Sequence, residues 1–176
     1  MKQVRLIKPE AKYAVSCAEA VREGLHLEPS PEEDIQLLEQ DFDAYMHKLH
    51  DLSRPVILPN GQRIARVPQH DYWLVRGDRF IGVTSIRPQL NESLMQRGGN
   101  IGYAVRASER RKGYGKTMLQ LALPHLRAFG LKKALITCHD KNEASIRIIE
   151  GAGGVMENAV KIEGLDTLQR RYWLIL

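Results

Sequence analysis

The residues best suited to bind an anionic ligand lie between Arg110 and Thr117, where the sequence reads RRKGYGKT. Gly113 and Gly115 allow the backbone to approach a ligand closely. The segment follows a predicted strand and precedes a predicted helix, and the free N–H groups at a helix start attract anions. Together with the flanking arginines and lysines, these features predict a pyrophosphate-binding loop.

Three phosphate-binding patterns can be compared with this segment. A P-loop requires glycine at the position of Arg110, although Gly115-Lys116-Thr117 matches its last three positions. A dinucleotide-binding fingerprint requires glycine or alanine at position 118, which is methionine. The third pattern, Arg/Gln-x-x-Gly-x-Gly/Ala, is matched completely by Arg110, Gly113 and Gly115. The third pattern is therefore favoured over the other two.

Through this third pattern the chain resembles the GCN5-related N-acetyltransferase (GNAT) superfamily, in which it forms the loop that binds the pyrophosphate of acyl-CoA. The resemblance covers nearly the whole chain, is weakest over residues 1–70, and includes the segments SIRPQLN and GGNIGYAVRASERRKGYG. It implies an N-acetyltransferase that transfers an acetyl group from acetyl-CoA to a primary amine of a small molecule or peptide. The amine would attack directly, and no metal would take part.

The resemblance also implies roles for individual residues. Backbone groups of Tyr103 and Val105 would bind the pantetheine arm, and Asn142 and Ser145 would lie near the pantetheine or the acetyl end. Backbone N–H groups of residues 111–116 would hold the pyrophosphate, within one continuous cofactor-binding run: Arg110, Arg111, Lys112, Gly113, Tyr114, Gly115 and Lys116. Asn142 also suits the N-cap of a helix, and capping is compatible with a role in catalysis.

The catalytic acid and base are less clearly marked than the cofactor loop. Many members of the superfamily have, seven residues after the asparagine, a tyrosine proposed to protonate the leaving thiolate, but position 149 here is isoleucine. Tyr172 or Tyr103 is an alternative acid, or the thiolate leaves unassisted, since a thiol pKa of about 8.5 makes it a tolerable leaving group. Three residues in predicted loops are candidate bases, although each also suits a solvated surface position: His70, Glu92 and Glu157.

Several predicted elements must position these residues. Residues 100–105, 115–129 and 134–138 predict a strand, a helix and a strand, which implies a right-handed crossover and parallel pairing of the two strands. Further helices are expected at residues 10–23, 31–49 and 142–151, the second with Ser30 as N-cap and Glu33 completing a capping box. The remaining strands are Val4–Ile7, Tyr72–Arg76, Phe80–Arg87, Val155–Ile162 and Gln169–Ile175.

This order of elements predicts a mixed α/β fold, and the resemblance implies that the fold is of the GNAT type. Its twisted mixed sheet would hold about six to seven strands, with helices on both faces. The length of 176 residues suits a single domain over residues 1–176. Cys17 and Cys138 lie among apolar residues without metal-ligand partners at short spacing, which predicts buried, reduced thiols. No signal peptide or membrane helix is expected, so the sequence predicts a cytoplasmic protein.

The charge pattern leaves three functions open. The formal net charge is +5, and five cations crowd into residues 106–116: Arg106, Arg110, Arg111, Lys112 and Lys116. An acetyltransferase and a CoA-binding sensor without catalysis both explain a cationic loop. A nucleic-acid-binding module is the third possibility, but it would need more aromatic residues among the charges than Tyr103 and Tyr114. We therefore expect an amine acceptor as partner, no nucleic acid or membrane, and a monomer or homodimer.

Overall fold

The computed structural model describes residues 3–25, 30–57, 61, 63–164 and 166–176. These residues form two compact units. The first comprises Met1–Asp51, Asp71–Thr84 and Tyr103–Met118, and the second comprises Leu52–His70, Ser85–Gly102 and Leu119–Leu176.

The helices and strands fall close to the positions that the sequence predicts. The strands are β1 (Val4–Ile7), β2 (Val56–Ile57), β3 (Arg63–Ile64), β4 (His70–Arg76), β5 (Arg79–Ile86), β6 (Ile101–Val105), β7 (Lys133–His139), β8 (Val155–Lys161) and β9 (Leu168–Ile175). The α-helices are α1 (Ala14–Arg22), α2 (Pro31–Gln40), α3 (Phe42–His50), α4 (Glu92–Gln96), α5 (Tyr114–Ala128) and α6 (Glu143–Gly151). Single 3₁₀ turns cover Ala11–Tyr13 and Ala107–Glu109.

The strands form two larger sheets and one small ribbon. Four strands follow the order β1-β4-β5-β6, and three follow the order β7-β9-β8. Strand β1 runs antiparallel to β4, and β9 runs antiparallel to both β7 and β8. The two larger sheets thus hold seven strands, and the predicted mixed α/β fold class is confirmed.

The predicted parallel pairing of β6 with β7 is wrong, because these strands belong to different sheets. Only an isolated bridge joins Gly99 to Ile136, and a Cβ atom at residue 99 would lie 2.3 Å from the Leu135 carbonyl oxygen. Next to the bridge, the Asn100 side chain accepts a hydrogen bond from the Leu135 N–H at 2.8 Å and donates one to the Arg87 carbonyl at 2.9 Å. The buried Asn100 side chain therefore takes up the Leu135 N–H, which a ladder between β6 and β7 would otherwise use.

The long helix expected over residues 31–49 is interrupted. Asp41 has φ −151°, and its side chain caps α3 by accepting a hydrogen bond from the Ala44 N–H at 2.9 Å. The predicted capping box at the start of α2 is also wrong, because Ser30 makes no side-chain cap bond. Glu33 instead pairs with Lys48 of α3 at 2.6 Å.

Each unit has its own apolar contacts. In the first unit, Trp73 and Phe80 pack edge to face with ring centroids 5.2 Å apart, in a cluster with α1, α2 and α3. In the second unit, Ile149 of α6 and Tyr172 and Leu174 of β9 are fully or almost fully buried. No helix in the described part of the chain is both long and apolar enough to span a bilayer.

Candidate cofactor loop and catalytic residues

The cofactor loop, residues 110–116, connects the 3₁₀ turn after β6 to the first turn of α5. Gly113 has φ +81°, and the Thr117 N–H donates to its carbonyl at 3.1 Å, which starts the helical hydrogen bonding. The first N–H groups of an α-helix have no acceptor within the helix, so they are available to an anion. Arg111 has φ +62°, the one positive value among the non-glycine residues described. Such backbone geometry costs about 1–3 kcal/mol and is concentrated at functional sites.

The cations of the predicted basic cluster differ in their availability. Arg106 is 1% exposed and its guanidinium is bound to Glu23, so the interpretation of Arg106 as part of a basic surface is wrong. Lys112 donates to Glu109 at 3.0 Å, and Arg110 donates through Nε to the Val105 carbonyl at 3.1 Å. Arg111 and Lys116 are exposed, and neither forms an ion pair with a described residue. These two cations are therefore the ones free to meet a phosphate group.

Glu109 holds the loop from inside the first unit. Its side chain is 4% exposed and accepts charged contacts from Lys112 at 3.0 Å, Arg79 at 3.2 Å and Arg76 at 3.4 Å. Burial raises the pKa of Glu109, but the hydrogen bond from Lys112 and the three cationic charges outweigh it, so the pKa lies below its usual value. Glu109 therefore stays ionised at neutral pH.

Tyr114, the residue between the two motif glycines, is fixed to β4 and β6. Arg76 donates a hydrogen bond to its hydroxyl, and the guanidinium carbon lies 5.6 Å from the ring centroid. The ring belongs to an apolar cluster against which Tyr103 and Val105 pack. The two strand residues expected to bind pantetheine are thus brought together with the loop, although their binding role stays a prediction.

Asn142 and Ser145 lie in the second unit, at the start of α6. The Asn142 side-chain oxygen accepts a hydrogen bond from the Ser145 N–H at 3.1 Å. The predicted N-cap at Asn142 is confirmed. Because this bond uses only the oxygen, the amide NH₂ group of Asn142 is not required for capping.

The candidate acids and bases have different surroundings. Tyr172 is fully buried and donates to Glu150 at 3.1 Å. Glu157 pairs with Arg171 at 2.8 Å, and the His70 ring stacks on Phe129 with centroids 4.3 Å apart. Glu92, the first residue of α4, is exposed and forms no ion pair with a described residue. Glu157 and His70 each contact another side chain, so Glu92 is the most available of the three predicted bases.

Sequence reasoning missed three residues that hold the loop: Glu23, Arg76 and Arg79. Each lies on an element distant in sequence, and no local pattern in their own segments marks them. The described residues also contain no group of three His, Cys, Asp or Glu side chains arranged to hold a metal ion.

The family follows from a match over most of the chain. Residues 25–155 match the sequence model of the acetyltransferase (GNAT) domain. The chain therefore belongs to the GNAT acetyltransferase family, and the resemblance carried by the Arg110–Gly115 motif is confirmed.

One curated relative matches nearly the whole chain. Mouse N-alpha-acetyltransferase 30 is 21% identical over 181 residues, which cover 98% of this chain and 49% of the relative. This chain thus spans about half the length of the curated relative.

Several solved structures share the fold. The ribosomal L7/L12 alpha-N-protein acetyltransferase RimL in complex with coenzyme A has a TM-score of 0.64 at 16% identity, covering 100% of this chain and 96% of that one. The self-immunity acetyltransferase MccE in complex with acetyl-CoA and AMP has 0.64 at 15%, covering 99% and 93%. The spermidine/spermine N-acetyltransferase SpeG from Vibrio cholerae has 0.63 at 15%, covering 98% and 95%. Because the sequence identities are this low, these structural similarities show the fold alone.

Proposed function

We propose that this chain transfers the acetyl group of acetyl-CoA to a primary amine of a small molecule or peptide. The observation that carries the proposal is the cofactor loop. A complete Arg-x-x-Gly-x-Gly motif stands at the start of a 15-residue helix, and the exposed Arg111 and Lys116 lack carboxylate partners among the described residues. This donor set fits a pyrophosphate, because helix N–H groups and cationic side chains both stabilise phosphate charge.

Acetyl-CoA, when bound, supplies an activated acetyl thioester. The residues of this chain that would hold it are the loop residues 110–116 and the β6 residues Tyr103 and Val105, with Asn142 and Ser145 toward the acetyl end. The incoming ammonium must first lose a proton, since an amine such as that of lysine has a pKa of about 10.4. Glu92, exposed and without an ion pair to the described residues, is the proposed proton acceptor, directly or through water.

The leaving thiolate, in this proposal, departs without a dedicated acid. Position 149 is a buried isoleucine, and the Tyr172 proton is already directed to Glu150. Tyr172 of β9 and Tyr103 of β6 remain the tyrosines to test, because they are the two alternative acids. If thiolate departure needs no acid, rate enhancement depends mainly on holding amine and thioester together.

The class of acceptor is supported by the relatives. RimL is named for a ribosomal protein terminus and SpeG for spermidine and spermine, both of which present amines. We extend only the shared chemistry, an amine acceptor, to this chain. The proposal further includes a cytoplasmic location, a monomer or homodimer, and no nucleic-acid or membrane partner.

A panel of amines and peptides tests the proposal, with free thiol monitored after addition of acetyl-CoA. We expect thiol release that requires both an acceptor and the protein. Tight acetyl-CoA binding with no acceptor-dependent thiol release would contradict catalysis and favour the second candidate, a CoA-binding sensor, to which the isoleucine at position 149 points.

A further inference from the structure

One carboxylate outside the motif holds the start of the cofactor loop. Glu23 directly follows α1 and is separated by more than 80 positions from the residues that it contacts. It accepts hydrogen bonds from the Ser108 N–H at 3.0 Å and the Ser108 hydroxyl at 2.8 Å. It also accepts two from Arg106, one through Nε at 3.3 Å and a shorter one through Nη2.

Arg106 is the buried partner in this arrangement. Its guanidinium donates to the Phe80 carbonyl at 3.1 Å and to the Ser16 hydroxyl at 3.2 Å. A buried guanidinium needs an ionised partner, since an unpaired buried charge is very costly. Glu23 provides it, whereas Glu19 lies 3.5 Å away and is 54% exposed. The hydrogen bonds from Arg106 and then Ser108 lower the pKa of Glu23 to about 2, despite the opposing effect of burial, so this carboxylate stays ionised at neutral pH.

The residues held by Glu23 lead directly into the loop. Arg106 directly follows β6, Ser108 lies within the 3₁₀ turn, and Arg110 begins the motif. Ala107 and Ser108 are exposed, so apolar packing contributes little to fixing the backbone there. Polar bonds to Glu23, together with the ion pairs of the buried Glu109, therefore restrain the direction in which the chain enters the loop.

We propose that Glu23 is a positioning residue for cofactor binding: by holding Arg106 and Ser108 it sets the path of residues 110–116 so that their N–H groups converge on the pyrophosphate. The inference rests on the proposed function. Glu23 does not touch the cofactor in this account; it acts through Ser108 and Arg106. Its loss should therefore change the affinity for acetyl-CoA more than the rate of the bound complex.

The test compares Glu23→Gln with the wild type in acetyl-CoA titrations by calorimetry and in steady-state kinetics. Removing the charge from a carboxylate with four hydrogen bonds should raise Kd and KM for acetyl-CoA about 10-fold, with kcat at saturating acetyl-CoA changed less than about 2-fold. Glu19→Gln, at a residue of α1 that also faces Arg106, is the matched control, and its Kd should stay within about 2-fold of wild type. Thermal melting reports whether each variant folds.

Ser108→Ala gives a second readout that leaves the Arg106–Glu23 pair in place. It should raise Kd about 3-fold, and combining it with Glu23→Gln should give less than the product of the two effects, because the variants remove shared contacts. If Glu23→Gln only lowers the melting temperature while Glu23→Gln and Ser108→Ala both bind acetyl-CoA with wild-type affinity, Glu23 is structural and the inference is overturned. If Glu23→Gln does not fold, wild-type affinity in Ser108→Ala alone overturns it. Failure of the wild type to bind acetyl-CoA would instead overturn the proposed function, and the inference with it.

Discussion

The fully buried Tyr172 donates a hydrogen bond from its hydroxyl to Glu150 Oε1 at 3.1 Å. Burial raises the pKa of Tyr172 above its usual value, and the carboxylate of Glu150 raises it further, although a hydrogen bond with Arg170 opposes them. The phenol is therefore protonated at neutral pH, with its proton committed to Glu150. We expect Tyr172→Phe to lower kcat by less than about 10-fold, below the 10²–10⁴-fold typical of general acid catalysis.

The measurement is kcat at saturating acetyl-CoA, with Tyr103→Phe as a second tyrosine variant. A loss of about 100-fold or more in either variant, with unchanged acetyl-CoA affinity, would identify that tyrosine as the acid and refute unassisted departure of the thiolate.

Asn142 caps α6 and is proposed to act at the acetyl end of the cofactor, and two substitutions distinguish these roles. Asn142→Ala removes the cap of α6 and should cost about 1 kcal/mol of stability. Asn142→Asp keeps an oxygen for the Ser145 N–H and should restore most of that stability, but it lacks the amide NH₂ group. We expect both variants to lose kcat/KM, as judged by thiol release, while denaturant unfolding shows a large stability loss only for Asn142→Ala. Wild-type activity in Asn142→Asp would limit Asn142 to capping.

Arg111 combines a strained backbone with a free cation, and each is tested by its own substitution. Arg111→Gly removes the penalty of the left-handed conformation, whereas Arg111→Ala keeps it, so the glycine variant should be more stable by roughly 0.5–1 kcal/mol. Both should weaken acetyl-CoA binding, and Arg127→Ala, which removes an exposed arginine near the end of α5, should not. Equal stability of the two Arg111 variants in urea unfolding would show that the backbone there carries no strain.

The cationic loop should not bind nucleic acid. Arg106 is buried with Glu23, and Lys112 is paired with Glu109, so fewer positive charges are available than the sequence shows. In gel-shift experiments at physiological salt we expect no submicromolar duplex binding. Tight binding whose affinity falls steeply with salt would report several phosphate contacts and contradict this expectation.

The His50–Asp71 contact predicts how stability depends on pH. The hydrogen bond from His50 to Asp71, at 3.0 Å, raises the pKa of His50 above its ordinary value of about 6.5, against the smaller opposing effect of burial. The stabilisation is therefore fully present below pH 6.5 or so and is lost as pH rises through the folded-state pKa. Because the His50 side chain is 40% exposed, screening should keep it below about 1 kcal/mol.

Urea unfolding of His50→Gln and wild type at pH 6 and pH 9 measures this effect. The stability difference between the two proteins should be larger at pH 6. His47→Gln, which replaces an exposed histidine of the same helix, is the matched control. A difference for His50→Gln that is equal at both pH values would show that the ion pair contributes nothing.

Local patterns predicted most elements of the fold, whereas the errors came from a local cap that periodicity does not reveal and from contacts between distant residues. The apolar stripe of the second helix continues across Asp41, so periodicity alone could not reveal the break between α2 and α3. Beside the isolated bridge between Gly99 and Ile136, the Asn100 side chain accepts the Leu135 N–H, a contact that neither local sequence encodes.

The candidate site divides in the same way. The cofactor loop could be proposed from the sequence because its glycines and cations are contiguous. The residues that support this loop could not be predicted, because their contacts join segments distant in sequence. Arg106 is buried against Glu23, and Glu109 pairs with arginines of β4 and β5. No local pattern marks the general base, since Glu92 is the first residue of the five-residue helix α4 and belongs to no motif.

The most direct measurement of the central claim is calorimetric titration of acetyl-CoA into Gly113→Asp and its matched control, Gly130→Asp. Both glycines have nearly the same φ, +81° and +82°, and a Cβ atom at either would meet nothing within 4 Å, so the conformational penalties should be similar. Only Gly113→Asp places a carboxylate at the proposed pyrophosphate site. We predict that it loses acetyl-CoA binding by about 100-fold or more while Gly130→Asp binds like wild type. Equal affinity in a folded Gly113→Asp variant would contradict the assignment of residues 110–116 as the cofactor loop.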